Sequence, residues 1–352
     1  MRRFNIICCV IAACLFCSGC SSEDSLIKRG VHEFDRGNYE AAINYFNEAL
    51  KKNPHNEKIY FNRGLAWYEM GTLDNAINDY SKALEINKVF IEAYYNRGIT
   101  WHKKGNNNFA ISDYTKALEL NPGNSLKSGI YFNRAYAKLK KGEYEQAIDD
   151  YTKCIEIDPK KSELYYFRAN VWYAKGNLDS AISDYTKAIN INPKYAQAIF
   201  DRANTWHERE DYASAIIDYE KAIEVDPQNG VIYSNYSWLL STCPDSKFRD
   251  GAKALKLALK AVEICPDEAL FLDSLSAAYA ELGNFKEAVR IEEKAIMLLK
   301  EDHKNLKESL ETQLKSYKSN KPWRERVKRE NWMHNYKTTK HKKGNRGTPL
   351  SF

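Results

Sequence analysis

The sequence predicts an all-α protein built as a solenoid of stacked helix pairs, and three observations carry that prediction. The first is a fixed period. An Arg-Gly or Arg-Ala pair falls at Arg29-Gly30, Arg63-Gly64, Arg97-Gly98, Arg134-Ala135, Arg168-Ala169 and Arg202-Ala203, in steps of 34, 34, 37, 34 and 34 residues. A period in this range marks a repeat architecture in which each copy is one supersecondary unit. The second is helical spacing inside each copy. In residues 162–193, Tyr165, Ala169 and Trp172 share one helical face, and Ala181, Tyr185, Ala188 and Ile189 share another. The third is punctuation. Lys175-Gly176-Asn177 is a glycine stop for the first helix, and Pro54, Pro122, Pro159, Pro193 and Pro227 recur where the second must end, because proline cannot continue a helix.

The chain begins with a targeting pattern. Arg2 and Arg3 precede a run from Phe4 to Phe16 that is apolar apart from Asn5. Thirteen helical residues span only ~20 Å, short of the ~30 Å hydrocarbon core, so residues 1–20 read as a signal peptide rather than a membrane span. Its end, Cys17-Ser18-Gly19-Cys20-Ser21-Ser22, resembles a bacterial lipobox with Cys20 as the acylated residue, although Cys17 stands where leucine is usual. Ile11-Ala12-Ala13-Cys14 fits the lipobox letters better but follows too short an apolar run. Five of the eight cysteines lie in this segment, and the remaining three, Cys154, Cys243 and Cys265, are widely spaced and imply no disulfide framework. Cys154 takes the place of Ala83, Ala117, Ala188 and Ala222 in other copies, the mark of a small buried residue.

Charge divides the chain. From Lys318 onward there are eleven Lys and Arg against two Glu, a balance of +9 that leaves the preceding residues at −3 of the net +6. The mildly acidic body, residues 24–299, holds the repeats. Residues 300–318 read as a charged capping helix. Residues 319–352 read as a basic tail, mostly disordered, with a helix from Trp323 to Tyr336 as its one structured candidate.

The small residue at the eighth position of each copy, the small residues at the twentieth and twenty-seventh, the aromatic at the twenty-fourth and the proline at the thirty-second resemble the tetratricopeptide repeat (TPR). Eight repeats run from about Asp24 to Leu299. Repeat one carries Gly30, Ala42, Phe46, Ala49 and Pro54, and repeats two to six are close copies. Repeat seven keeps Ala254, Ala261 and Pro266 with about five extra residues around Pro244–Phe248, and repeat eight shows Ser276, Tyr279, Gly283, Ala288 and Ala295. The resemblance implies a right-handed superhelix of antiparallel helix pairs, and the chain is identified as similar to bacterial TPR lipoproteins. Small residues let two helices approach to ~8–10 Å, and stacking supplies the core that one pair lacks.

The resemblance also implies a partner groove, since positions 2, 5, 9, 12 and 13 of the first helix line the concave surface in this family. Position 5 reads Phe61, Tyr95, Phe132, Tyr166 and Phe200, and position 12 includes Tyr68, His102, Tyr173 and His207, with Asn170 and Asn204 at position 9. Aromatic faces with scattered amides suit an extended peptide or a partner helix. The competing expectation is that some of these rings only pack on adjacent helices. With aromatics at position 5, where chaperone-tail binders carry lysine, that ligand is not expected.

Position 7 departs from the family, which usually has leucine there. Five arginines share the repeat with an aspartate sixteen residues on: Arg63 with Asp79, Arg97 with Asp113, Arg134 with Asp150, Arg168 with Asp184 and Arg202 with Asp218. Repeats seven and eight lose both members together, and repeat one sets Arg29 against Tyr45. This co-occurrence predicts structural ion pairs between the helices of a repeat or across to the next. Trp67, Trp101, Trp172 and Trp206 recur at position 11 as core residues, and Lys138 stands in that place in repeat four, where either its stem reaches out to water or the three extra residues in 121–128 shift the packing.

No catalytic, metal or cofactor motif is present: the seven histidines are scattered, and there is no His-Glu-x-x-His, phosphate loop or Gly-x-Ser-x-Gly. The expected function is a non-catalytic scaffold or adaptor in the bacterial cell envelope, exported and lipid-anchored, holding another protein rather than a small-molecule substrate. The alternative is surface attachment through the basic tail, whose Trp323, Trp332 and Tyr336 among Lys and Arg suit a polyanion or an anionic membrane. Export argues against nucleic acid.

Overall fold

A computed structural model describes residues 22–299 and 303–324. The expected signal segment with Cys20 and the residues beyond Arg324 lie outside the described residues. The described residues form seventeen α-helices and one short 3-10 helix, with no strand. They divide into two compact bodies, residues up to 159 and residues from 160.

The first body holds four helix pairs: α1 (Ser22–Asp35) with α2 (Tyr39–Lys52), α3 (Glu57–Glu69) with α4 (Leu73–Ile86), α5 (Ile91–Lys103) with α6 (Asn107–Glu119), and α7 (Asn124–Lys140) with α8 (Tyr144–Ile157). The second holds α9 (Ser162–Ala174) with α10 (Leu178–Ile191), α11 (Ala196–Glu208) with α12 (Tyr212–Val225), α13 (Gly230–Thr242) with α14 (Gly251–Ile264), α15 (Ala269–Glu281) with α16 (Phe285–Leu298), and a final α17 (Lys304–Lys318) packed on α16. Within each body every pair also packs on the next, the arrangement of an α-solenoid.

Helix ends follow from the residues there. After α9, Gly176 takes φ +84°. Its N–H donates to the Tyr173 carbonyl at 2.9 Å, and the Asn177 N–H reaches back to the Trp172 carbonyl at 2.9 Å. These two bonds cap carbonyls the helix would leave unpaired. The Asn177 side chain then accepts from the Ser180 N–H to start α10. Repeat six places Glu210, φ +67°, where its neighbours have glycine.

Close approach explains the small residues. A Cβ added at Gly64 or Gly98 would stand 2.7 or 2.6 Å from the Tyr80 or Tyr114 ring. Repeats four to six carry Ala135, Ala169 and Ala203 at that place, each fully buried. In repeat seven the extra residues form the 3-10 turn Ser246–Phe248 between α13 and α14. Lys138 neither reaches out to water nor leaves a gap. Its ammonium turns inward to Asp150 at 2.8 Å, and the side chain is buried.

The chain after α17 stays against the repeats as far as Arg324. Trp323 packs on the buried cluster of Ala280, Ala288 and Tyr317. Arg324 pairs with Glu281 at 2.6 Å and donates to the Ser241 carbonyl at 3.2 Å. Residues up to 324 are therefore fastened to the repeats.

Candidate protein-binding face

The position-7 arginines form one repeated joint. Each presents Nε and Nη2 as a fork to its aspartate. Both bonds are 2.7–2.8 Å in Arg63–Asp79, Arg97–Asp113, Arg134–Asp150, Arg168–Asp184 and Arg202–Asp218. The aspartates are buried, which makes a two-bond partner obligatory for the charge. The third nitrogen, Nη1, reaches the second helix of the preceding repeat: Arg63 to Asn47 at 2.6 Å, Arg97 to Ser81 at 2.9 Å, Arg134 to Thr115 at 2.9 Å, and Arg202 to Thr186 at 2.8 Å. In these four repeats the arginine thus ties its own two helices together and ties them to the repeat before. These ten residues form ion pairs between the two helices of their repeats.

Position 5 does not line an open groove. Phe61, Phe132 and Phe200 are 6%, 3% and 3% exposed. The position-5 ring lies against the position-24 tyrosine of its own repeat in all five cases, at centroid distances of 5.8 Å for Phe61–Tyr80, 6.1 Å for Tyr95–Tyr114, 5.4 Å for Phe132–Tyr151, 6.0 Å for Tyr166–Tyr185 and 6.2 Å for Phe200–Tyr219. Phe61 also meets Phe90, and Tyr166 meets Tyr195. The two tyrosines in the series use their hydroxyls internally. Tyr95 accepts from Asn133 at 2.8 Å, and Tyr166 donates to Asp201 at 2.9 Å. Burial pushes the Tyr95 phenol up to about 12, and burial with the Asp201 charge raises Tyr166 as well, so both stay protonated donors or acceptors at neutral pH.

The position-9 amides are also engaged. Asn170 accepts from the Tyr185 hydroxyl at 2.6 Å, and Asn204 from Tyr219 at 2.7 Å and from Asn235 at 2.9 Å. Repeat two has Leu65 at that position, and there the buried Tyr80 hydroxyl has no partner. The amides match the tyrosines across the repeat, which is why they occur together.

What remains half-buried is the row at position 12, with neighbours at positions 9 and 13 that include the half-buried Tyr136 and Glu208 and the exposed Lys103 and Lys140. In the first body the Lys103 ammonium sits 4.1 Å above the Tyr68 ring, His102 meets Tyr136 edge-on at 5.3 Å, and Lys140 lies 5.1 Å from the same Tyr136 ring. His102 donates from Nδ1 to the Asn107 side-chain oxygen, 2.7 Å away. Its burial, opposed by that bond and reinforced by Lys140, holds the imidazole below its usual value and therefore neutral at pH 7. In the second body the Tyr173 hydroxyl donates to Glu208 at 2.6 Å, and His207 meets Tyr212 at 5.8 Å. Tyr136, Lys103, Lys140 and Glu208 belong to this face and were not singled out from the sequence, although the same position count would have found them.

Family models described as TPR repeat match residues 30–71 and 66–105, and those described as tetratricopeptide repeat match 91–124, 129–161, 162–195, 196–229 and 269–301. The chain belongs to the tetratricopeptide repeat family, a family of protein-interaction modules. It is similar to the C-terminal part of a TPR repeat-containing protein from Cytophaga hutchinsonii, at 21% identity and TM-score 0.61 over 71% of this chain and 99% of that one. It also resembles YrrB, described as a TPR protein with an unusual peptide-binding site, at 22% identity and TM-score 0.47 over 53% of this chain and 95% of that one. MamA matches at 24% identity and TM-score 0.46 over 50% of this chain and 94% of that one. These likenesses are of fold. No curated protein sequence matches the chain.

Proposed function

We propose that the protein is an envelope scaffold that holds segments of another protein on the position-12 face of each body, with Tyr68 and His102 as the contact residues in the first and Tyr173 and His207 in the second. The observation that carries this reading is the contrast between two rows of aromatics. The position-5 rings all lie against the position-24 tyrosines and the three phenylalanines among them are buried, while the position-12 residues are half-buried and each is joined to a charged or aromatic neighbour. Half-buried rings held by their neighbours give contact area at little entropy cost to a binder. The charged neighbours differ between the bodies, so the lysines of the first face favour an acidic segment and Glu208 of the second favours a basic one. A photo-crosslinking residue at position 68 or 173 should capture a partner in cells, and the same residue at Phe109, 58% exposed on another face, should not. Equal capture at all three places would sink the reading.

Export and anchoring complete the proposal. The run from Phe4 to Phe16 followed by Ser18-Gly19-Cys20 supports lipidation at Cys20, and a diacylated anchor would be stable because more than one chain is buried. Globomycin-sensitive processing lost in Cys20→Ala is the expected result; processing that persists in that variant excludes this anchor.

A further inference from the structure

One member of the position-7 arginine series stands outside the joint. Arg29 in α1 has Tyr45 sixteen residues on instead of an aspartate, and it makes no hydrogen bond or ion pair among the described residues. With Ser25, Lys28, His32, Glu33 and Tyr45 it lines a pocket of about 440 Å3.

The repeat register shows what this face would otherwise be. Ser25 and His32 occupy positions 3 and 10. In the next repeats those positions hold Ile59 with Ala66, and Ile130 with Ala137, all fully buried. Ile59 packs into the cluster of Ala42, Phe46 and Ala49 from α2, and Ile130 into that of Ala110, Tyr114 and Ala117 from α6. The face of α1 that corresponds to a stacking surface is therefore polar. A polar outer face is the ordinary device for a terminal repeat, but that role is served by side chains of either charge. Here three exposed basic side chains, Lys28, Arg29 and His32, line one open pocket, and of the three Arg29 is the one with no hydrogen bond or ion pair among the described residues. The single acid among them, Glu33, is already held by Asn38 at 2.7 Å, by Arg36 at 3.5 Å and by His32 at 3.4 Å.

We infer that this pocket binds a carboxylate carried by an acidic segment of a partner protein, at a place separate from the position-12 face. Five arginines at the same register show what the guanidinium does when an acceptor is present: it takes a carboxylate with two bonds. They also show where a neighbouring chain presents its side chains, because Asn47, Ser81, Thr115 and Thr186 reach position 7 from the helix lying alongside. A segment lying along α1 in that way delivers a carboxylate to Arg29, flanked by Lys28 and His32. The planar fork favours a carboxylate over a single-point acceptor.

The test is calorimetric titration of the full chain with terminally blocked tetraglutamate, with tetraglutamine as the neutral control. Tetraglutamate should bind, tetraglutamine should not, and Arg29→Gln should weaken binding at least tenfold. Lys51→Gln, at an exposed lysine on α2 outside the pocket, should leave binding unchanged. Arg29→Gln breaks no described contact, so its circular dichroism should match the parent. Equal affinity in Arg29→Gln, absence of tetraglutamate binding, or displacement of the peptide by an equal concentration of inorganic phosphate would each overturn the inference, the last by showing a site for any small anion.

Discussion

Asp150→Ala is the substitution that most sharply tests the ion-pair joints. Asp150 is fully buried and accepts three charge-assisted bonds, from Arg134 Nε at 2.8 Å, Arg134 Nη2 at 2.7 Å and Lys138 Nζ at 2.8 Å. Removing it strands two cations whose side chains are only 12% and 10% exposed. An uncompensated buried charge costs about 3–5 kcal/mol, so the variant should fall in or above that range. Asp79→Ala is the internal comparison. It strands one cation, Arg63, which is 20% exposed and keeps its bond to Asn47, and hydrogen bonds to a charged group are worth about 1.5–3 kcal/mol. The double variant Asp150→Ala/Lys138→Leu removes one stranded charge and should recover at least about 1 kcal/mol, since residues in one network do not add independently. Urea denaturation of the full chain, with amide exchange in α7 and α8 to localise the loss, reads all three. If Asp150→Ala costs no more than Asp79→Ala, or if Lys138→Leu brings no relief, the three-charge joint is not the source of stability here.

Two further outcomes follow from differences between repeats. Tyr185→Phe should destabilise by about 1 kcal/mol because it removes the bond to Asn170, whereas Tyr80→Phe should be neutral or stabilising because the Tyr80 hydroxyl is buried without a partner; melting temperatures moving in the same direction would contradict this. Glu210→Gly should raise the melting temperature by relieving a left-handed backbone that costs a non-glycine residue about 1 kcal/mol, and an unchanged or lowered value would show that the Glu210 side chain contributes more than its backbone costs.

Much of this was legible in the sequence because repetition supplies its own controls. Five copies of Arg and Asp at one separation point to a joint that one copy would leave indistinguishable from a catalytic pair. The helix ends were readable for the same reason, since glycine, asparagine and proline recur at the places where the backbone needs them. The sequence left the position-5 rings between a groove and packing on adjacent helices, because an aromatic side chain suits a core and a groove equally. Only the distance to the position-24 tyrosine, which belongs to the other helix of the pair, separates the two. Lys138 was out of place in sequence for a similar reason: its partner, Asp150, was already assigned to Arg134, and nothing along the chain says that one carboxylate can serve two cations.

The loss of the pair in repeat seven sharpens what the joint is for. Tyr236 replaces the arginine and Leu257 the aspartate, so the link between α13 and α14 at this register becomes apolar. The link to the preceding repeat is nevertheless kept. Glu220 stands on α12 where Thr186 stands on α10; it accepts from the Tyr236 hydroxyl at 2.9 Å and from Lys253 Nζ at 2.7 Å. The Lys253 bond, opposed by partial burial and helped by Tyr236, lowers the Glu220 carboxyl, which keeps it charged at neutral pH. In repeat eight the bond is instead within the repeat, from Ser276 to buried Glu292 at 2.6 Å. Repeats two, three, four, six and seven therefore keep a polar contact from position 7 to the repeat before while exchanging the groups that make it, and in repeat eight, where Leu275 and Ile291 stand at the joint, the polar bond lies one position further along. What distinguishes Arg29 is that its half of the contact is present and the other half is not supplied by any described residue of its own chain.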